Sequence, residues 1–259
     1  MNLEIMDWSI IGPAIVAGIL VSSTHVPMGQ EVLRRGIIFI DLAIAQIAGL
    51  GVIAADTLIG ETEGVMVQVA AVVAALLAAA LLNWTEKHWQ QFQEPIIGTL
   101  FVLAATGSIL LLAENPHGGE YLKDLLVGQI LWSTWDVLIP IAILYAILLA
   151  VWFLVYQRRG RIVFYLTFSF AITASVQLVG VYLVFASLII PALATTRLRG
   201  KAKLWSGYAL ASISYFSGII LSAILDLPTG AVIVWTMASL GVISGTIIKY
   251  FKKDAELSA

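Results

Sequence analysis

The chain has 259 residues, 60% of them hydrophobic and only 12% charged, with a mean hydropathy of +0.97 and a net charge of −2. A water-soluble domain carries about twice that share of charge, so the composition excludes one and indicates a polytopic membrane protein. The near-neutral balance gives no footing for nucleic acid. The absence of cysteine excludes disulfides, thiolate nucleophiles and thiolate metal ligands.

The chain opens with "MNLEIMDWS", which is acidic and has no basic n-region, so it is not read as a cleaved signal peptide. A helix crosses the hydrocarbon core with about 20 apolar residues. On that measure the candidate spans are 9–33, 36–55, 64–84, 95–113, 136–156, 163–178, 179–191, 204–225 and 230–250. The first is expected to bend at Pro27 and Gly29. The run 163–191 is too long for one crossing and short for two, and Gly180 and Pro191 are its only punctuation. Small residues recur inside the spans, in "VAAVVAALLAAALL" and at Gly12, Gly18, Gly49 and Gly51, as close helix packing in lipid requires. The expectation is an all-α transmembrane bundle of about eight to nine spans, forming one domain over 1–259.

Charge sets the orientation. If the N-terminus lies outside, the alternate loops and their helix ends hold Arg34, Arg35, Lys87, Arg158, Arg159, Arg161, Arg197, Arg199, Lys201, Lys203, Lys249, Lys252 and Lys253. Of the 14 basic residues only Lys123 falls on the other side, so those loops and the C-terminus are placed in the cytoplasm. The opposite loops carry Glu4, Asp7, Asp56, Glu61, Glu63, Glu114, Glu120, Asp124 and Asp226. This bias favours two crossings over 163–191.

Three polar residues stand out at membrane depth. Asp41 follows the Arg34–Arg35 pair by about two helical turns. A carboxylate at the centre of a span costs roughly 2.5–3.5 kcal/mol on insertion scales, and such residues usually face a bundle interior or a water-filled path. Its helical neighbours Ala45, Ala48 and Gly49 are small. Asp41 is read either as lining a cation path or as a structural partner of Arg35. Gln46 reads either as a conduit residue or as interhelical glue. His25 is the one histidine of three at membrane depth, and reads either as a metal-coordinating imidazole or as a satisfied interior side chain.

The segment "VGVYLVFASLIIPALATTRLRGKAKLW" runs an apolar helix into Pro191 and then into a short basic stretch. Proline suits a first helical turn, so 192–199 is expected to be a short helix across the cytoplasmic face, with an ordinary basic loop as the alternative. "ILDLPTGAVIV" places Asp226, Pro228 and Gly230 in a tight outer turn. No G-x-x-x-x-G-K-[ST] phosphate loop is present, and "RGKAK" lacks the upstream glycine and the hydroxyl. ATP that drives this chain would be bound by another chain.

Together these segments resemble the permease subunit of the zinc/manganese/iron ABC importers. "VLRRGIIFIDLAIAQIAGLGVIAA" is similar to that family's Arg-Arg-Met-Ser, Gly-Asp-Ala-Leu-Ser-His segment. "VQLVGVYLVFASLIIPALATTRL" is similar to "VGVLLVSALLVIPAATARLL", and "LDLPTGAVIV" to "LDLPSGPTIV". "EPIIGTLFVLAATGSILLL" and "DLLVGQILWSTWDVL" follow in the family's order, so the resemblance covers nearly the whole chain. It implies a type II ABC importer permease fold and a non-enzymatic transport subunit of the bacterial inner membrane. The implied partners are a second permease copy, a cytoplasmic ATPase dimer and a periplasmic or lipoprotein metal-binding protein. No permanently bound cofactor is implied; the divalent metal is cargo.

The resemblance also assigns residues. Asp41 matches the family's intramembrane Asp, but the family's His four residues later is Ala45 here, with Gln46 beside it. His25 on the preceding helix is the candidate replacement. Pro191, Ala192, Thr195, Arg197 and Arg199 fall where the family couples to its ATPase. The loop "YQRRGRIVFYL" is shorter than in many members, which suggests a divergent branch. A proton-coupled secondary transporter with Asp41 as relay, and a membrane scaffold without transport, are the competing readings.

Overall fold

The computed structural model describes residues 8–59, 64–113, 115 and 117–257; of 58–59, 157–159 and 251–257 it describes the backbone alone. Glu4, Asp7, Glu61, Glu63 and Glu114, and the side chains of Arg158, Arg159, Lys252 and Lys253, therefore lie outside the described residues. Among the described residues the chain forms nine α-helices and no strand: α1 Trp8–Arg35, α2 Ile40–Ile59, α3 Val65–His88, α4 Gln93–Leu111, α5 Gly118–Val127, α6 Trp135–Val179, α7 Val181–Ala194, α8 Gly200–Leu225 and α9 Thr229–Leu257. The all-α transmembrane expectation is met.

Eight helical stretches are long and apolar enough to cross a membrane. They are α1, α2, α3, α4 with its preceding turn, the two parts of α6, α8 and α9. The two parts of α6, 135–156 and 160–179, meet at Gly160, whose φ of 38° and ψ of −101° are not helical. Helix α1 runs unbroken through both Pro13 and Pro27. The run 163–191 divides into two helices, as the charge bias favours. Gly180, with φ 79°, separates α7 from α6. At 14 residues α7 extends only about 21 Å, short of the ~30 Å core.

By contacts the chain divides into two compact units. The first comprises 1–35, 129–143 and 182–259. In it α1 packs on α8, and α8 packs on α9. Close approach depends on small residues: a side chain at Gly29 would collide with the carbonyl oxygen of Leu188, and one at Gly18 would lie 2.5 Å from the Tyr215 ring. The second unit comprises 36–128 and 144–181. In it α2 packs on α3 and on α4. Gly51 faces Ala70 and Ala74, and Gly49 faces Leu125. Gly18, Gly49 and Gly51 thus have the packing role predicted for them, whereas Gly12 meets no neighbour.

Candidate functional site

Asp41 lies in the first turn of α2. The cause is local. Gly36 takes φ 71° and the Ile40 N–H donates to the Ile37 carbonyl at 3.3 Å, so a turn replaces the first helical residues expected from 36 onward. Glu94, in the first turn of α4, accepts a hydrogen bond from the Ile38 N–H at 2.5 Å and holds that turn. A carboxylate in a first helical turn faces the positive end of the macrodipole and the free N–H groups of the helix start. Asp41 is nonetheless wholly buried, and its oxygens find no side-chain partner; only the Asp41 and Leu42 N–H groups of its own turn lie near them, without good hydrogen-bond geometry. A buried carboxylate so weakly partnered is costly. That cost falls if a cation occupies the space beside it. Arg35, the structural partner considered from sequence, is engaged elsewhere: its Nε donates to Glu31 Oε1 at 2.6 Å.

Ala45 and Ala48 are buried beside Asp41, as the small-face reading requires. Gln46 is buried on the same helix, but five residues on it projects about 140° away from Asp41. The two side chains do not share a face, so one path along α2 does not meet both.

His25 is fully buried in α1, within the first unit. Its Nδ1 pairs with Thr24 Oγ1 at 3.1 Å, and its Nε2 has no partner. The imidazole is thus half satisfied. Among the described residues no three His, Asp or Glu side chains group as they would around a tightly held metal ion.

The expected short helix over 192–199 is not formed. Residues 192–194 are the last turn of α7, a hydrogen-bonded turn follows, and Arg199 is extended before α8 begins. The Thr195 hydroxyl and N–H both donate to the Pro191 carbonyl, at 2.8 and 3.2 Å, and the Leu198 N–H donates to Thr195 at 2.9 Å. Pro191 lacks an N–H, so α7 forgoes the bond to the Ser187 carbonyl there, but the Pro191 carbonyl anchors the turn that follows. Pro191, Ala192 and Thr195 are buried; Arg197 and Arg199 are exposed.

Within the first unit two long-range bonds tie the start of α8 to α1. Gln30 Nε2 donates to the Lys203 carbonyl at 3.2 Å, and the Tyr208 hydroxyl donates to the Ser23 carbonyl at 3.0 Å. Ser23 lies two residues before His25. Gln30, Tyr208 and Glu94 were not singled out from sequence. Their only signal was a polar side chain in or beside an apolar run, which by itself does not distinguish a tether from a snorkelling end.

Residues 7–159 and 158–248 match the profile of the ABC 3 transport family. The chain belongs to that family. ABC 3 relatives include the manganese transport system membrane protein MntC of Halalkalibacterium halodurans, 27% identical over 99% of this chain and 96% of that one. The high-affinity zinc uptake system membrane protein ZnuB of Haemophilus influenzae is 24% identical over 92% of this chain and 97% of its own. Among solved structures, PsaBC from Streptococcus pneumoniae in complex with Fab superposes with a TM-score of 0.74 at 21% identity, covering 94% of this chain and 95% of that one. That likeness shows the fold alone.

Proposed function

We propose that this chain is the membrane permease subunit of an ATP-driven importer for a divalent transition-metal ion, with zinc the first cargo to test, then manganese and iron. One structural observation carries the reading: Asp41, wholly buried in the first turn of α2 with no side-chain partner for either oxygen. Membership of the ABC 3 family and the names of its manganese and zinc relatives support it. The alternative of a proton-coupled secondary transporter finds no support in these relatives.

On this reading Asp41 supplies a single anionic ligand. One carboxylate without a surrounding ligand cluster suits passage, because a transport site must release what it binds. Its complete burial means the ion reaches it only when the bundle opens, as alternating access requires. His25, with one ring nitrogen free, is proposed to supply the imidazole that Ala45 cannot. Gln46, turned away from Asp41, would serve a separate contact along the route.

Coupling is assigned to 191–203. Arg197 and Arg199 would meet the ATPase, while the buried Pro191–Thr195 turn transmits its displacement. The Gln30–Lys203 and Tyr208–Ser23 bonds then offer a route from that segment to α1, close to His25. The two units are proposed to work as one permease domain, paired with a second copy. A cytoplasmic ATPase dimer and a metal-binding protein at the outer face complete the assembly. The basic loops would face the cytoplasm of a bacterial inner membrane, with the N-terminus outside.

The test is cellular zinc, manganese and iron in a strain lacking the gene, under metal starvation, with and without the wild-type gene restored. One metal should fall on deletion and return on complementation. Unchanged levels of all three would refute the metal assignment.

A further inference from the structure

The first unit carries a groove of about 720 Å³ between the C-terminal ends of α7 and α9. Gly241 and Gly245 line one side without side chains, the exposed Leu193 and Val242 add apolar bulk, and Arg197 and Lys249 stand at one end. Along α9 the groove runs from Ala238 to Lys249, about 17 Å at the helical rise. That length is about half the ~30 Å hydrocarbon core, or one leaflet. The volume is that of a ligand pocket rather than a gap between side chains.

The chemistry is graded along the groove. Its apolar portion lies within a stretch long and apolar enough to span. Its cationic end is the end that the basic-residue bias places in the cytoplasm. Arg197 and Lys249 are both exposed, and neither makes an ion pair or a side-chain hydrogen bond among the described residues. Two exposed cations at the mouth of an apolar slot one leaflet deep complement a molecule with an acyl chain and an anionic head.

We propose that this groove is a binding site for an anionic phospholipid of the cytoplasmic leaflet, its acyl chain along α9 and its phosphate between Arg197 and Lys249. An acidic group alone would satisfy the two cations but not the apolar length of the slot beside Leu193 and Val242. Lipid covers both. Basic pockets between spanning helices on this side of a membrane are suited to acidic headgroups. The inference does not depend on which cargo the permease carries.

The test is lipid retention by the purified protein, read by native mass spectrometry. The probes are dioleoylphosphatidylglycerol, dioleoylphosphatidylcholine and soluble glycerol 3-phosphate. Phosphatidylglycerol should be retained at least fivefold better than phosphatidylcholine. Lys249→Gln and Arg197→Gln should each cut that preference about fivefold, and Lys249→Arg should restore it. Gly245→Leu, whose Cβ has ordinary room at 3.6 Å from the Ala194 carbonyl oxygen, should fill the slot and lower retention of both lipids. Thermal unfolding of each variant checks that the fold is intact. Equal retention of the two lipids would overturn the proposal. So would a preference unchanged in the glutamine variants, or displacement of the lipid by equimolar glycerol 3-phosphate. Lipid preference intact in Arg197→Gln, with ATPase co-purification lost, would also overturn it and leave Arg197 to the coupling contact alone.

Discussion

Gly128 and Gly180 meet backbone to backbone. Gly128 ends α5 and Gly180 separates α6 from α7, with φ of 72° and 79°, and a Cβ on either would collide with main-chain atoms of the other segment. The Gly128 N–H donates to Asp124 at 2.8 Å and the Gly180 N–H to Val176 at 2.8 Å, so both amides are already engaged in ending their helices. Left-handed backbone costs a residue with a side chain about 1–2 kcal/mol, and the collision adds to that. Gly180→Ala and Gly128→Ala should each lower the apparent unfolding temperature in detergent by several degrees. Gly12→Ala, in open space, should leave it unchanged.

Glu31 gathers two arginines. Its oxygens accept from Arg34 Nε at 2.7 Å, Arg34 Nη2 at 2.5 Å and Arg35 Nε at 2.6 Å. The Arg34 side chain is 68% exposed and that of Arg35 only 13%. Exposed pairs contribute little, whereas breaking a buried one is expensive. Arg35→Gln should therefore destabilise by about 1–3 kcal/mol and Arg34→Gln by under ~1 kcal/mol. Chemical denaturation of the purified protein decides the order.

In the second unit Gln93 sits at the centre of a buried polar knot. Thr85 Oγ1 donates to Gln93 Oε1 at 2.9 Å, and Gln93 Nε2 donates to the Leu82 carbonyl at 3.0 Å and to the Tyr165 hydroxyl at 3.3 Å. Thr85→Val alone strands Gln93 Oε1 and should cost about 1–3 kcal/mol, whereas Gln93→Leu leaves the Thr85 hydroxyl the Leu82 carbonyl at 3.0 Å and should cost less. The double variant removes both partners and should cost clearly less than the sum. Additivity in a denaturation cycle would show that the two groups act independently.

The Tyr208–Ser23 bond is the proposed link from the coupling segment to α1. Tyr208→Phe keeps the ring and removes the donor, at a cost of about 1 kcal/mol. ATP-driven uptake should fall several-fold while ATPase co-purification and basal hydrolysis hold. Uptake at the wild-type rate would remove Tyr208 from the coupling route.

Much of the bundle was legible because apolar run length and the placement of basic residues are one-dimensional signals. Asp41 was found for the same reason: a charge in such a run needs a cause. What escaped depends on three-dimensional packing. Gly36 turns the chain by taking a positive φ, which moves the start of α2 to Ile40 and puts Asp41 at a helix terminus; any glycine in the sequence looks alike until its φ is known. The basic stretch after Pro191 suggested a helix, but the Pro191 carbonyl closes a turn onto Thr195 instead. Gln46 looked like a companion of Asp41 by proximity in sequence, although five residues along a helix is nearly the opposite face.

The central claim is that Asp41 carries the ion. Its most direct test is ATP-driven uptake of zinc, manganese and ferrous iron into proteoliposomes holding the assembled transporter, comparing wild type with Asp41→Asn at matched subunit content. The neutral isostere keeps the shape and removes the charge. Uptake of the cargo metal should fall more than tenfold with the assembly intact. Wild-type uptake by Asp41→Asn would contradict the account and make the buried carboxylate a structural feature of α2.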